Sequence, residues 1–284
     1  MSLVTLTDIL KKAEEGRYAV GAFNCNNMEI VKSIANAAKE ENAPVIIQAS
    51  QGAINYAGLN YITALVETAA LETDVPIVLH LDHGTDLEQI IKCIRFGFTS
   101  VMIDGSMLPY EENLKITKKV VEIAKAVGVS VEAELGRIGG TEDNIHVSEK
   151  DVLFTDPEEA RVFVEETGVD ALAIAIGTAH GQYKGEPELD FDRLKEIAEK
   201  VSCPLVLHGS SGVPDESIKK AIELGIRKVN IDTNIRESFV GSVREFLNAN
   251  PKEIDPRKVL APAQEKATDV IREKIRIFGS SGMA

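Results

Sequence analysis

The chain has 284 residues, 44% of them hydrophobic, and no apolar run approaches the ~20 residues that a membrane-spanning helix needs. Its formal net charge of −14 argues against nucleic acid as a partner, because nucleic-acid binders present a basic surface. The N-terminus lacks the pattern of a secretory signal and the three cysteines are scattered, so we expect a cytoplasmic protein without a disulfide framework.

Eight apolar, β-rich runs alternate with amphipathic stretches along the chain. The runs are nearly continuous in their apolar character, which is typical of parallel strands buried on both faces. Eight such units in a chain of this length predict a (β/α)8 TIM barrel of the α/β class. An open doubly wound sheet is disfavoured because no Gly-x-Gly-x-x-Gly turn follows the first strand. The predicted strands are 18–23, 45–49, 77–82, 100–104, 130–135, 171–176, 205–208 and 228–232, and the predicted helices include 28–41, 86–96, 111–127, 157–167, 191–201 and 215–224.

Two segments fall outside this alternation. Residues 136–153 are too long and too polar for a minimal loop, and long loops after strands often carry catalytic groups. The tail, 255–284, contains a predicted helix at 262–278. Because no linker, repeat or low-complexity tract interrupts the chain, we predict one barrel domain, 1–284, with 255–284 as a C-terminal helical extension.

Three histidines, His83, His180 and His208, stand where an apolar run gives way to a glycine-containing turn. In a barrel these strand ends open onto one face, so the three side chains can converge. A single histidine is more often a hydrogen-bonded structural residue, but three at equivalent positions favour an open metal site of the kind that catalytic zinc uses. We expect His80 to be a core or supporting residue and His146 to be solvated.

Acidic residues accompany these histidines. Asp82 directly precedes His83, where a carboxylate can hold a metal ligand in place or move protons. Glu132 and Glu134 are two residues apart and share one face of the fifth predicted strand. Acids facing a barrel interior need a cation or a metal, and a structural salt bridge is the alternative for at least one of them.

A phosphate site is predicted at the ends of the seventh and eighth strands. His208-Gly-Ser-Ser-Gly212 follows one and Asn230-Ile-Asp-Thr233 follows the other. Barrel enzymes frequently bind phosphate on these two loops, through backbone N–H groups and a helix start. A Gly-Ser-Ser-Gly turn is common by itself, but its place beside a candidate metal ligand makes it informative.

Seven motifs are distributed along the chain: Leu81-Asp82-His83-Gly84, Ser100-Val-Met-Ile-Asp104, Val131-Glu-Ala-Glu134-Leu-Gly136, Gly139-Gly-Thr-Glu142-Asp143, Gly177-Thr-Ala-His180-Gly181, His208-Gly-Ser-Ser-Gly212 and Asn230-Ile-Asp-Thr233. Together they resemble the class II, metal-dependent fructose-bisphosphate and tagatose-bisphosphate aldolases over essentially the whole chain. The resemblance implies a zinc ion held by the three histidines, with Glu134 near an alternative or second metal position. It implies that zinc acts as a Lewis acid on the ketose C2 oxygen and stabilises the enediolate formed beside it.

The resemblance also implies individual roles. Asp82 would handle the proton of the C4 hydroxyl, and Glu142 would move the proton at C3 of dihydroxyacetone phosphate. Arg257 is similar to an arginine that relatives lend across a dimer interface to the distal phosphate, with a tail salt bridge as the alternative. Lys184 and the backbone near Gly181 would seat the phosphate or a monovalent cation, Na⁺ or K⁺. The substrate-binding set is completed by Asn24, Ser50, Gly209, Ser210, Ser211, Asn230, Ile231, Asp232 and Thr233.

The implied reaction is reversible cleavage of fructose 1,6-bisphosphate to dihydroxyacetone phosphate and glyceraldehyde 3-phosphate by a homodimer or homotetramer. Ser50 and Asp232 are more similar to the fructose branch, but tagatose 1,6-bisphosphate or another ketose phosphate stays as an alternative substrate. A Schiff-base aldolase is disfavoured because the strand predicted at 171–176 has no lysine. A metal-bound protein without turnover is a further alternative, which the filled acid, base and ligand positions disfavour. The native metal, zinc, cobalt or iron, is left open.

Overall fold

The computed structural model describes residues 3–142, 145–148, 150–183, 185 and 187–284. The strands are β1 Val20–Asn24, β2 Val45–Ser50, β3 Ile77–Gly84, β4 Ser100–Ile103, β5 Ser130–Leu135, β6 Gly139–Glu142, β7 Ile145–Val147, β8 Ala171–Ile174, β9 Ala179–His180, β10 Leu205–Leu207 and β11 Ile226–Ile231. The α-helices are α1 Leu6–Gly16, α2 Met28–Glu41, α3 Gln51–Ala57, α4 Leu59–Glu72, α5 Leu87–Arg95, α6 Tyr110–Lys125, α7 Pro157–Thr167, α8 Phe191–Lys200, α9 Asp215–Glu223, α10 Thr233–Ala249 and α11 Pro256–Ile277.

Within these ranges, eight parallel strands close into a barrel in the order β1-β11-β10-β8-β5-β4-β3-β2. The barrel strands are buried along their whole length, because helices cover them outside and their own side chains fill the interior. This closure confirms the predicted (β/α)8 barrel and brings the carboxyl ends of all its strands to one rim. Among the described residues, no helix has both the length and the apolar character needed to cross a membrane.

Helix α1 closes the opposite, amino-terminal end of the barrel. The side chains of Thr5 and Asp8 cap its first turn reciprocally. Leu6 and Leu10 are fully buried and belong to a cluster with the inward-facing Val20 and Val78. A helix was not predicted here, although Thr-x-x-Asp before an apolar repeat is a recognisable start signal. The interior is therefore mainly apolar at this end, and polar groups are concentrated toward the other.

The C-terminal helix begins earlier than predicted. We placed its start at residue 262, but α11 runs from Pro256 to Ile277. Asp255 caps it by accepting a hydrogen bond from the Arg257 N–H, and Pro256 suits the first turn because its missing N–H needs no partner there. Pro262 lies inside the helix. The prediction was wrong because it treated the second of two prolines as the helix start.

The long polar segment after β5 folds as a hairpin. Strands β6 and β7 pair antiparallel, and β6 also pairs in parallel with β9, at Gly140 and His180. The strand predicted at 171–176 is correspondingly shorter, since β8 ends at Ile174. His180 therefore projects from a small additional sheet above the barrel rim rather than from the barrel strand itself.

Candidate metal centre and active site

The structure brings the three predicted ligands together at the carboxyl rim. The ring centroids of His83 and His208 are 4.8 Å apart, and the ring centroid of His180 lies 5.1 Å from that of His83 and 6.0 Å from that of His208. One nitrogen from each ring falls within 4.8 Å of the other two. Residues separated by up to 125 positions in sequence thus converge on one point, as the barrel topology predicted.

Asp104 fixes the orientation of His83. His83 Nδ1 lies 2.8 Å from Asp104 Oδ2, and both side chains are buried. Burial would raise the pKa of Asp104, but hydrogen bonds from His83 and Ser106 outweigh it and lower that pKa to about 2. Because the ionised carboxylate can only accept, Nδ1 carries the proton and Nε2 presents its lone pair. The sequence motif contained Asp104, but its partnership with His83 was not predicted.

His208 is oriented in the same way by Glu132. Its Nε2 lies 2.9 Å from Glu132 Oε1. Burial raises the pKa of Glu132, but the charge of Lys228 and the hydrogen bond to His208 lower it well below its ordinary value. Burial also lowers the pKa of His208, so its imidazole is neutral at pH 7. A neutral ring that donates from Nε2 keeps its lone pair on Nδ1.

These two tautomers leave a pair of lone pairs facing each other. His208 Nδ1 and His83 Nε2 are 3.1 Å apart. Two nitrogens that bind one tetrahedral zinc at about 2.0–2.1 Å lie about 3.3 Å from each other, which is close to this separation. Opposed lone pairs at this distance repel unless a cation lies between them. The donor set and its spacing therefore fit a bound metal ion.

A backbone irregularity lets consecutive residues serve the same site. The pairing of β3 with β4 shifts register between Leu81 and Gly84, and His83 adopts a left-handed conformation with φ of 47°. Consecutive residues of a regular strand point to opposite faces, whereas a bulge re-aims one of them. Asp82 and His83 can thus both face the rim. Strain of this kind in a non-glycine residue is typical of functional sites.

Asp82 is held by amides from neighbouring strands. Asn24 donates to Asp82 Oδ2 at 2.8 Å, and Asn230 donates to Oδ1 at 3.3 Å. Gln48 donates in turn to Asn24 Oδ1 at 2.7 Å, which fixes the amide orientation of Asn24. Asp82 Oδ1 is 4.0 Å from His83 Nε2. The carboxylate is therefore fixed beside the converging imidazoles.

A charged layer lies beneath the site. Lys228 Nζ is 2.7 Å from Glu132 Oε2, and both residues are fully buried. His80, which packs at 3.6 Å from the same carboxylate, shares a hydrogen bond of 2.8 Å with Ser100. Burial, then the charge of Lys228, keeps the pKa of His80 well below its ordinary value. The predicted salt bridge thus belongs to Glu132, and His80 is the supporting core residue that the sequence indicated.

The predicted phosphate loops line a cleft of about 120 Å³ next to the histidines. Helix α10 begins at Thr233, and the Asp232 side chain caps none of its N–H groups. The helix start can therefore donate to an anion. The predicted residues that line the cleft are Asn24, His180, Gly181, Gly209, Ser210, Ser211, Asn230, Asp232 and Thr233.

Arg236 adds a positive charge that the sequence analysis missed. It lines the same cleft, and its Nε is 2.7 Å from Asp232 Oδ1. Its position one turn into α10 places it over the start of that helix. Thr233 and Arg236 are three residues apart on a helix, and this spacing could have identified the cation.

The backbone of the cleft approaches its neighbours closely. Gly209 has φ of +64°, and a Cβ there would lie 2.5 Å from the Ala179 carbonyl oxygen. The hydroxyl of Tyr183 donates to the Gly209 carbonyl at 2.8 Å and accepts from the Ala179 N–H at 2.6 Å. Tyr183 thereby ties the β9 segment to the loop after β10. The cleft and His180 are thus held by one set of contacts.

Several predicted residues are placed elsewhere. Ser50 is buried at the end of β2, where its hydroxyl accepts from the Ala53 N–H and caps α3. Ile231 points into the apolar core, so only its backbone is available to a ligand. Arg257 is 88% exposed, and it forms an ion pair of 2.9 Å with Asp255 of its own chain.

Three further predictions concern acidic or loop residues. Glu134 Oε2 lies 3.5 Å from His208 Nδ1, and Glu134 also forms a candidate ligand group with His83 and Asp104. Glu142 pairs with Ile145 through the backbone of the hairpin, but its side chain lies outside the described part of the structure. Lys184 lies outside the described residues altogether.

A closed barrel with three imidazoles converging at its carboxyl rim, beside a cleft at a helix start, is typical of metal-dependent barrel enzymes. The model of the class-II fructose-bisphosphate aldolase family matches residues 4–283. The chain is 50% identical to fructose-bisphosphate aldolase of Thermus caldophilus, over 99% of this chain and all of that protein. It is 48% identical to a probable fructose-bisphosphate aldolase of Bacillus subtilis, over the full length of both. The solved structure of the YdjI aldolase of Escherichia coli K12 matches with a TM-score of 0.88 at 35% identity, covering 99% of each chain.

The chain therefore belongs to the class-II fructose-bisphosphate aldolase family. Members of this family are metal-dependent lyases, so the enzymatic assignment made from the motifs is confirmed.

Proposed function

We propose that this enzyme reversibly cleaves fructose 1,6-bisphosphate to dihydroxyacetone phosphate and glyceraldehyde 3-phosphate. The single observation that carries the proposal is the adjacency of the three histidine nitrogens, the Asp82 carboxylate and the cleft at the start of α10. Relatives of 46–50% identity that span the whole chain carry the name fructose-bisphosphate aldolase. A ketose phosphate needs both a carbonyl-polarising group and an anion site, and this arrangement supplies both.

His83, His180 and His208 would hold the metal, for which we propose Zn²⁺ because three imidazoles with an open position are typical of catalytic zinc. When bound, the metal supplies Lewis-acid polarisation of a substrate carbonyl. Asp104 and Glu132 keep the His83 and His208 tautomers that present lone pairs to that position. Glu134 would serve an alternative or second metal position together with His83 and Asp104.

Asp82 would accept and return the proton of the C4 hydroxyl as the carbon–carbon bond breaks and forms. The Asn24 and Asn230 amides hold its two oxygens in place, so the carboxylate is oriented before substrate arrives. We assign the proton transfer at C3 of dihydroxyacetone phosphate to Glu142, which lies on the hairpin next to His180 of β9.

The cleft lined by Gly209, Ser211 and Thr233 would bind the phosphate of the dihydroxyacetone phosphate half. Helix N–H groups and backbone amides suit an oxyanion, and Arg236 supplies a positive charge. Gly181 and Lys184 would help to seat the phosphate or a monovalent cation. Ser50 and the backbone of Ile231 complete the proposed substrate contacts.

We propose that the enzyme acts in the cytoplasm as a homodimer or a homotetramer. The support is the exposure of Arg257, whose guanidinium would bind the distal phosphate in the active site of a partner copy. The planar guanidinium group of arginine fits the geometry of a phosphate. The exposed ion pair with Asp255 contributes little to stability, so it does not by itself account for an arginine at this position.

The decisive experiment is a parallel cleavage assay on fructose 1,6-bisphosphate and tagatose 1,6-bisphosphate, with EDTA treatment followed by readdition of Zn²⁺. We expect cleavage that EDTA abolishes and Zn²⁺ restores, with a higher kcat/KM on the fructose sugar. Preference for the C4 epimer would overturn the substrate assignment alone. Activity that survives complete metal removal would overturn the mechanism.

A further inference from the structure

A buried cation lies directly behind one of the proposed metal ligands. Lys228 is on β11 and has no exposed surface. Its ammonium group donates a hydrogen bond to Glu132 Oε1 at 3.0 Å and forms an ion pair with Oε2 at 2.7 Å. Glu132 Oε1 is at the same time 2.9 Å from His208 Nε2. The three groups form a continuous chain from the barrel centre to the metal position.

Stability alone does not account for this ion pair. Removing two charges from water costs free energy that their attraction often only offsets, and apolar pairs of similar volume usually serve a core as well or better. Neighbouring inward positions of the barrel, such as Val20 and Val78, are apolar. A lysine and a glutamate at the barrel centre therefore indicate a functional role in addition to core packing.

This role follows from the hydrogen bond between Glu132 and His208. An ionised carboxylate accepts but does not donate, so Glu132 selects the His208 tautomer with its proton on Nε2. That tautomer presents the Nδ1 lone pair, which lies 3.1 Å from His83 Nε2. Lys228 holds this carboxylate in the position that faces His208, because a buried charge with no cation beside it is costly.

We propose that Lys228 and Glu132 are positioning residues that hold His208 in the tautomer able to bind the metal. The inference rests on the proposed metal site, and it adds the two residues that keep His208 in its metal-binding tautomer. Carboxylates that orient metal-binding histidines generally contribute 10–100-fold to metal affinity. A loss of roughly that size is therefore expected when Glu132 no longer orients His208.

The test compares Glu132→Gln with the double variant Glu132→Gln/Lys228→Met in the full-length protein. With Lys228 present, the amide oxygen should occupy the shorter contact with the ammonium group, which turns the NH2 group toward His208 Nε2 and selects the wrong tautomer. Without Lys228, the amide can rotate its oxygen toward His208. Zn²⁺ affinity, measured by competition with a chelating dye, should fall about 10–100-fold in the single variant and recover most of that loss in the double variant.

Ser100→Ala is the matched control, since it disturbs the same buried layer through His80 without touching Glu132 or His208, and it should bind Zn²⁺ as the wild type does. Long-range ¹H–¹⁵N spectra of the metal-free full-length protein, labelled at histidine, provide a readout that does not depend on metal. They should show His208 protonated on Nε2 in the wild type and on Nδ1 in Glu132→Gln.

Wild-type His208 protonated on Nδ1 would overturn the inference even if Glu132→Gln fails to fold. Equal Zn²⁺ affinity of the wild type and Glu132→Gln would also overturn it, as would a double variant that binds no better than the single one. A wild-type protein that binds no Zn²⁺ would instead overturn the proposed metal site, so the two failures are distinguishable.

Discussion

His83 and Asp104 form a buried pair in which Nδ1 and Oδ2 are 2.8 Å apart. Two hydrogen bonds from Ser106 hold the other carboxylate oxygen, so neither Asp104 oxygen can turn away without breaking a contact. The pair therefore fixes both the rotation and the protonation of His83. Asp104 therefore couples the conformation of the bulged segment to the orientation of the His83 imidazole.

Asp104→Asn should weaken Zn²⁺ binding about 10–100-fold, because an amide can donate to Nδ1 and move the imidazole proton onto Nε2. Ser106→Ala is the graded control: it removes one hydrogen bond from Asp104 and leaves the carboxylate in place, so its effect should be smaller. Dye competition gives both affinities. An Asp104→Asn variant that binds Zn²⁺ as tightly as Ser106→Ala would contradict the role given to the carboxylate.

The same carboxylate predicts a pH dependence of the metal-free protein. The pKa of Asp104 is lower in the folded state, about 2, than its ordinary value of 3.8. Its contribution to the free energy of unfolding is therefore present above pH 3.8 and lost as the pH falls toward 2, and the gap corresponds to about 2 kcal/mol. Urea unfolding of the wild type and Asp104→Asn should show a difference at pH 7 that narrows at pH 3. A difference equal at both pH values would exclude this linkage.

Asp82→Asn should lower kcat by about 10²–10⁴ and leave the bound metal in place, because the amide cannot take up the C4 hydroxyl proton. Metal content and kcat are measured on the same samples. Asp86→Asn is the matched control, since Asp86 is an exposed cap of α5 four residues further on and asparagine caps equally well. Unchanged turnover in Asp82→Asn would remove Asp82 from the mechanism.

The barrel and the convergence of the histidines could be predicted from sequence because both follow from the regular alternation of apolar strands and amphipathic helices. Buried parallel strands alternate with helices, and every strand end reaches the same rim. The bulge at His83 could not be predicted in this way. It depends on how β3 pairs with β4, and neither strand shows that register locally.

The Glu132–Lys228 pair illustrates the other limit of the sequence. The residues are 96 positions apart and meet across the barrel interior. The strand pattern placed Glu132 on an inward face, where an acid needs a cation. Identifying Lys228 as that cation requires the relative positions of β5 and β11 along the barrel axis, which the sequence does not contain. The start of α11 was misplaced for a simpler reason, because Asp255 before Pro256 is itself a sufficient helix start.

Gly209→Ala should destabilise the protein and raise KM for the phosphorylated substrate. The left-handed backbone alone costs an alanine about 1–2 kcal/mol, and the added Cβ would collide with the Ala179 carbonyl 2.5 Å away. Gly241→Ala is the control within α10: its Cβ would meet no neighbouring group, and it should stabilise the helix by up to about 1 kcal/mol with unchanged KM. Equal KM values for the two variants would show that the Gly209 turn does not shape the phosphate cleft.

Arg257→Gln should raise KM for fructose 1,6-bisphosphate by about 10-fold or more, since hydrogen bonds to charged groups contribute about 1.5–3 kcal/mol. The free energy of unfolding should barely change, because the exposed pair with Asp255 contributes little. Lys258→Gln, which removes an adjacent exposed ion pair, should leave KM unaltered.

Coexpression of Arg257→Gln with Asp82→Asn tests whether the arginine acts across an interface. A mixed dimer would contain one site with both native residues, so activity at a substrate concentration well below the wild-type KM should exceed that of either variant alone. If the mixture gains nothing under that condition, Arg257 does not serve a partner's site.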